Sequence, residues 1–88
     1  MFVIVYYDVN EKRCTKMLKV CRKYLQHVQY SVFEGEITPA NFEKMISELK
    51  KIMIPEEDDS LVVYKFRSMN YSERLVYGLD KKGDTQFI

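Results

Sequence analysis

Asp8 ends the apolar segment Phe2–Tyr7, and its carboxylate is the group in this sequence best suited to chemistry. A carboxylate at the end of a strand can bind Mg²⁺ or Mn²⁺, with water and phosphate oxygens completing the coordination. One carboxylate makes a weak site, but a two-fold dimer that brings two copies of Asp8 together would supply two. The alternative is a structural role, because acids that follow strands often cap the next helix or form an Asx-turn.

A basic segment comes directly after Asp8. Four lysines recur at helical spacing and would line one helix face, with Arg13 and Arg22 beside them: Lys12, Lys16, Lys19 and Lys23. Such a face suits a nucleic-acid backbone, because lysines neutralise phosphates without reading sequence. Glu11 is the only acid nearby in the sequence, so we expect the positive charge to be uncompensated. A solvated helix face is the alternative.

The remaining candidates are few. Tyr71 lies between Arg67 and Arg74 in a predicted loop, where its ring would stack on a base. His27 is the only histidine, and we expect a surface or hydrogen-bonding role for it. The sequence contains no glycine-rich phosphate loop, no Ser-His-Asp set and no second Cys/His pair for zinc.

The composition is that of one folded domain. The 88 residues are 47% hydrophobic and 31% charged with a net charge of +1, which argues against disorder. Cys14 and Cys21 are two helical turns apart, too far for a disulfide, so both are expected in the core. No apolar run is long enough to span a membrane and the start lacks the basic region of a signal peptide, so we expect a cytoplasmic location.

Two helices and several strands must position these residues. Asn10 is the expected N-cap of the first helix, and Thr38 with Pro39 begins the second, which Pro55 ends. Residues 34–36 either kink the second strand or turn it into a short hairpin. The predicted strands are, in chain order, Phe2–Tyr7, Val28–Phe33, Leu61–Phe66, Glu73–Gly78 and Thr85–Ile88.

This order of elements predicts an α+β, ferredoxin-like two-layer sandwich that forms a single domain over residues 1–88. Two helices would cover one face of an antiparallel sheet, yet the first strand is apolar on both faces. We therefore expect a homodimer packed through the sheets. In the tail, residues 78–88, the terminal strand Thr85–Ile88 is expected to pair with the edge of a partner subunit.

Three parts of the sequence, in this order, point to a known family: an apolar strand that ends in Tyr7-Asp8, a basic helix from Arg13, and the block Val28–Gly35. Together they resemble the CRISPR-associated protein two family, the small subunit that works beside the CRISPR integrase in spacer acquisition. The resemblance implies a ferredoxin-like homodimer in which Asp8 binds a divalent metal between subunits. It also places further residues in the active region, namely Tyr7, Arg13, Ser31 and Phe33. His27 departs from the family pattern, in which arginine is common at that position.

The resemblance leaves three functions to compare. The first is an Mg²⁺-dependent endonuclease that cleaves phosphodiester bonds in RNA or duplex DNA and belongs to the integrase complex. The second is a non-catalytic DNA-binding scaffold that bridges integrase dimers, a hypothesis motivated by the single carboxylate and the lack of an evident base. The third is a toxin-type ribonuclease of the related virulence-associated family, which shares the fold.

Overall fold

The structure is a computed structural model that describes residues 1–67 and Leu75. Seven elements follow one another in it: β1 (Phe2–Asp8), α1 (Glu11–Tyr24), β2 (Gln26–Gln29), β3 (Val32–Glu36), α2 (Pro39–Ile52), a 3₁₀ turn (Pro55–Glu57) and β4 (Ser60–Phe66). The predicted strands Glu73–Gly78 and Thr85–Ile88 lie outside the described residues. Within those residues, neither helix has the length and apolar character needed to cross a membrane.

Both helices begin where their capping residues predict. The Asn10 side chain accepts a hydrogen bond from the backbone N–H of Lys12 at 3.0 Å, which satisfies a free donor of the first turn of α1. At α2, Thr38 Oγ1 accepts from the backbone N–H of Asn41 at 3.2 Å, and Pro39 occupies the first turn. The two N-cap predictions are therefore confirmed.

The second predicted strand is wrong in one respect. Val28–Phe33 is not continuous, because a turn at Tyr30 and Ser31 separates β2 from β3. Tyr30 has a positive φ of 46° and is 82% exposed, so it does not continue the apolar face that the alternating spacing indicated. Of the two alternatives for this segment the hairpin is correct, but its turn lies at residues 30 and 31, and residues 34–36 belong to β3. The turn was missed because it contains no glycine, proline or asparagine.

The four strands form an antiparallel sheet in the order β2-β3-β1-β4, with the two helices packed on one face. This arrangement confirms the ferredoxin-like prediction. Strand β1 is central, and its alternate residues Val3, Val5 and Tyr7 point into the core below the helices. They pack there with Met17 and Cys21 of α1, Phe33 of β3, and Met45 and Leu49 of α2.

The other face of the sheet, called here the second face, carries the remaining β1 side chains and their cross-strand neighbours. The β1–β4 register pairs Phe2 with Phe66, Ile4 with Tyr64, Tyr6 with Val62 and Asp8 with Ser60. Phe2 is buried, but Tyr6 and Tyr64 are 39% and 54% exposed. Exposed tyrosines on the sheet face that the helices leave uncovered are compatible with the expected dimer contact. The homodimer itself stays a prediction.

Candidate functional site

Asp8 is the last residue of β1 and is exposed at the end of the second face. The capping alternative for this residue is wrong, because Asn10 supplies the cap of α1. Within residues 1–67 and Leu75, the Asp8 carboxylate has no hydrogen-bond or ion-pair partner. No residue in this part of the chain therefore occupies the oxygens of Asp8.

A second acid, Asp59, lies beside Asp8 and was not predicted as part of the site. It comes immediately before Ser60, the cross-strand neighbour of Asp8. Its side chain is fully buried and accepts hydrogen bonds from the backbone N–H groups of Asn10 at 3.0 Å and Ile54 at 2.9 Å. One carboxylate therefore ties the loop after β1 to the segment before β4.

Arg13 completes this buried cluster. Its Nε donates to Asp59 Oδ2 at 2.5 Å and its Nη2 to Asp59 Oδ1 at 2.9 Å, a two-pronged pair, and Nη2 also contacts Glu57 Oε1 at 3.3 Å. The hydrogen bonds from Arg13 hold the pKa of the Asp59 carboxyl well below its ordinary value of 3.8. The same hydrogen bond to Asp59 raises the pKa of Arg13. These contacts turn the guanidinium inward, which corrects the expectation that Arg13 is a free cation flanking the lysines.

The basic face of α1 is partly neutralised. Lys23 forms an ion pair with Glu48 of α2, and the Tyr24 hydroxyl donates to the other oxygen of Glu48 at 2.5 Å. The hydrogen bond from Lys23 lowers the pKa of Glu48. Lys12, Lys16 and Lys19 are exposed, and none has an ion-pair partner within residues 1–67 and Leu75. The prediction of an uncompensated stripe is therefore wrong at Lys23, and it stays a prediction for these three lysines.

Three of the residues that the resemblance placed in the active region lie on the helix-covered side of the sheet or in the β2–β3 turn. Tyr7 and Phe33 are core residues whose rings stack with centroids 6.2 Å apart. Ser31 accepts a hydrogen bond at its carbonyl from the Tyr7 backbone N–H at 3.3 Å. Burial raises the pKa of Tyr7 to about 12, so its phenol stays protonated at neutral pH. These contacts support the end of β1, and a direct part in the site stays a prediction for all three.

Of the two loop candidates, Arg67 and Tyr71, the structure describes only Arg67. Arg67 follows β4 and is exposed. Tyr71, predicted to stack on a base, lies outside the described residues, as does Arg74. Both nucleic-acid assignments stay predictions.

Asp8 meets the minimum that a hard divalent cation requires. Mg²⁺ is commonly held by one or two carboxylates, with water and phosphate oxygens in the other positions. Among residues 1–67 and Leu75, no three His, Cys, Asp or Glu side chains are grouped to hold a metal, and Asp59 has both oxygens engaged by N–H groups. The oxygen donor present fits the cation, and another copy of the chain would bring a second Asp8 carboxylate.

The sequence and the fold of this chain are similar to those of known proteins. The model of the family described as CRISPR associated protein Cas2 matches residues 1–74. The CRISPR-associated endoribonucleases Cas2 of Dictyoglomus turgidum and Pyrococcus furiosus are 47% and 48% identical to this chain over 88 residues, which is all of each protein. A solved structure, titled as a crystal structure of cas2, is 40% identical with a TM-score of 0.81 and is covered over 98% of its length by the whole of this chain. The chain belongs to the Cas2 family of CRISPR-associated proteins.

Proposed function

We propose that this chain is a metal-dependent endonuclease that hydrolyses phosphodiester bonds and serves as a dimeric component of the CRISPR integrase complex. The observation that carries the proposal is the exposed carboxylate of Asp8, which no described residue of the chain engages. The relatives' names, which specify an endoribonuclease, make RNA the first substrate to test, with duplex DNA as the second.

The proposed cofactor is Mg²⁺ or Mn²⁺, with Asp8 as its protein ligand. When bound, the cation would stabilise the charge that develops on the phosphoryl oxygens during in-line attack by water. Other residues of the chain hold the Asp8 carboxylate in position. The Asp59–Arg13 pair fixes the backbone at Asn10, two residues beyond Asp8, so the carboxylate extends from a held loop. A carboxylate held in place loses less entropy when it binds a cation than a mobile one.

Substrate affinity is assigned to α1. Lys12, Lys16 and Lys19 are exposed and unpaired within the described part of the chain, so each is free to neutralise a phosphate. The contribution of these lysines would be independent of base sequence and would fall as salt is raised. This assignment omits Arg13, whose guanidinium is directed at Asp59.

The dimer is proposed to form through the second face. Tyr6 and Tyr64 are its exposed aromatic residues, and Asp8 follows Tyr6 by two positions on the same side of β1. A two-fold contact through this face would therefore bring the two Asp8 side chains toward the same region. Two carboxylates would hold a divalent cation better than the one carboxylate that each chain supplies.

The test compares Asp8→Asn with Asp58→Asn. Asp58 is an exposed acid at a left-handed position, φ 65°, which asparagine also tolerates, so its replacement removes a nearby charge without straining the backbone. We expect Asp8→Asn to lower the rate of Mg²⁺-dependent RNA cleavage at least about a hundredfold, because a catalytic cation contributes several kcal/mol to the transition state. Asp58→Asn should cleave as wild type. Equal activity of wild type and Asp8→Asn would refute the catalytic assignment.

A non-catalytic scaffold remains the second candidate. It is favoured by one observation: within residues 1–67 and Leu75, no three His, Cys, Asp or Glu side chains are grouped as a metal site. The two functions separate in a spacer-integration assay with the integrase. A scaffold predicts that Asp8→Asn integrates normally and that neither protein cleaves nucleic acid. The family match favours both of these functions over the toxin-type ribonuclease.

A further inference from the structure

A cleft of about 380 Å³ opens where α1 passes the β2–β3 turn. Its lining comes from the end of β1, from α1, from β2 and from the turn: Tyr7, Cys14, Thr15, Leu18, His27, Tyr30 and Ser31. The volume lies in the range of small-molecule sites, and the walls are mostly apolar or aromatic with a few hydroxyl groups. Because Tyr7 and Asp8 point to opposite faces of β1, this cleft is separate from the proposed metal ligand.

Aromatic rings stack on one another at the wall of the cleft. The His27 ring stacks on Phe33 with centroids 4.7 Å apart and planes 19° apart, and Phe33 in turn stacks on Tyr7. His27 Nε2 donates to the carbonyl of Tyr30 at 2.5 Å, which fixes the ring against the turn. The aromatic residues that line the cleft are Tyr7, His27 and Tyr30, and a flat heteroaromatic ligand can pack against such rings.

Tyr30 is the unusual wall residue. It is 82% exposed, so its ring adds little to the core, and its φ of 46° is one that residues with a β-carbon seldom adopt. The His27 contact to its carbonyl holds this conformation in place. Strained, exposed residues held by their neighbours are concentrated at binding sites.

Positive charge lies beside the cleft. Arg22 follows Leu18 by one helical turn on the same side of α1, and it is exposed with no ion pair within residues 1–67 and Leu75. Lys19 is also exposed there. An aromatic cleft bordered by a cation matches a nucleotide, whose base is flat and whose phosphate is an anion.

We propose that this cleft binds one unpaired nucleobase of single-stranded RNA, with the base against Tyr30 and the adjacent phosphate at Arg22. A base within a duplex is paired and stacked, so it must leave the helix before it can enter. The cleft would therefore select single strands over duplexes. This inference rests on the proposed function to the extent that RNA is the substrate.

The experiment uses Asp8→Asn as the parent protein, so that binding is measured without cleavage. Fluorescence anisotropy follows a labelled single-stranded RNA hexanucleotide and, separately, an RNA duplex. We expect the single strand to bind more tightly per nucleotide, and adding Tyr30→Asn to weaken its binding at least about fivefold, the loss expected for one stacked base. Asparagine suits a positive φ, so this change should not lower the melting temperature. Tyr30→Phe keeps the ring and should bind as the parent does.

A second pair of variants tests the phosphate contact. Arg22→Gln should reduce the salt dependence of single-strand binding by about 0.7 in the log–log slope, the value for one released counterion. Lys50→Gln removes an exposed charge from α2 and should leave that slope unchanged. If Tyr30→Asn lowers the melting temperature after all, Thr15→Phe fills the cleft from an exposed position on α1 and should weaken binding in its place.

Several outcomes would overturn the proposal. The first is unchanged RNA binding by Tyr30→Asn, which is expected if the cleft binds a protein segment instead. The second is equal affinity, per nucleotide, for the duplex and the single strand. These binding results are independent of the proposed function, which is tested by comparing the cleavage rates of wild type and Asp8→Asn. The nucleobase site therefore fails or succeeds on binding alone.

Discussion

Asp8 and Asp59 are two carboxylates at the same end of the β1–β4 pair, and their surroundings are opposite. Asp8 is exposed and has no partner among the described residues. Asp59 is buried and accepts four hydrogen bonds, two from Arg13 and two from backbone N–H groups. The same functional group thus serves as an available ligand in one place and as an internal brace in the other. Environment, rather than residue type, separates the two roles.

The hydrogen bonds to Asp59 also explain why this residue is not proposed as a metal ligand. Each of its oxygens already accepts two N–H groups, and the adjacent guanidinium would repel a cation. The proposed metal site therefore depends on Asp8, and on a second copy of Asp8 if two protein carboxylates are needed. The predictions below test whether the two acids can be separated by experiment.

The largest effect on stability is expected from Asp59→Asn. The change removes the counter-charge of Arg13 and replaces one acceptor oxygen with an NH₂ group that faces N–H donors. We expect its urea-unfolding midpoint to be the lowest among single amide replacements in the acidic run 56–59. Asp58→Asn is the matched control and should unfold near the wild-type midpoint, because Asp58 is exposed.

Asp8→Asn should also unfold near the wild-type midpoint, within about 0.5 kcal/mol, as is usual for exposed positions. The comparison between the two acids would be contradicted if Asp8→Asn and Asp59→Asn were equally destabilised. Far-ultraviolet circular dichroism during the same titration shows whether each variant begins from a folded state.

The free energy of unfolding should depend on pH in the acid range because of Asp59. Its folded-state pKa is lowered by Arg13, so the unfolded chain takes up the proton more readily than the folded chain. The stabilisation is therefore fully present above the ordinary value of 3.8 and is lost as the pH falls from there toward the depressed folded-state value. Unfolding free energies of wild type and Asp59→Asn, measured from pH 6 to pH 2, should converge as the pH falls. A constant difference over this range would argue against the Arg13–Asp59 pair.

A smaller effect distinguishes the free and paired lysines of α1. Lys19 is unpaired within the described residues, whereas Lys23 is held by Glu48. Lys19→Gln should reduce the salt dependence of single-stranded RNA binding by about 0.7 in the log–log slope, and Lys23→Gln by less, because Lys23 already has a protein counter-ion. Equal slopes for the two variants would show that the Lys23–Glu48 pair opens on binding.

Local features of the site were predictable from sequence, and long-range contacts were not. Asn10 and Thr38 identify the starts of their helices because a cap acts on residues two or three positions away. Arg13 and Asp59 are 46 positions apart, so nothing near Arg13 in the sequence indicates that its guanidinium is engaged.

The same limit applies to the hairpin and to the basic face. The turn at Tyr30 has a positive φ without the glycine or asparagine that normally signals one, so the alternating residues Val28, Tyr30 and Val32 indicate one strand face from sequence alone. Lys23 meets Glu48 from the other helix, which helical spacing within α1 cannot show. In each case the error came from tertiary packing that overrides a local pattern.

The central claim is that Asp8, and no other acid of this region, holds the divalent cation. Its most direct test is a titration with Mn²⁺ followed by electron paramagnetic resonance of the free ion, on wild type, Asp8→Asn and Asp58→Asn. We predict saturable binding of one ion for two chains by wild type and Asp58→Asn, and loss of that binding in Asp8→Asn. Binding of Mn²⁺ by Asp8→Asn with wild-type affinity would contradict the claim.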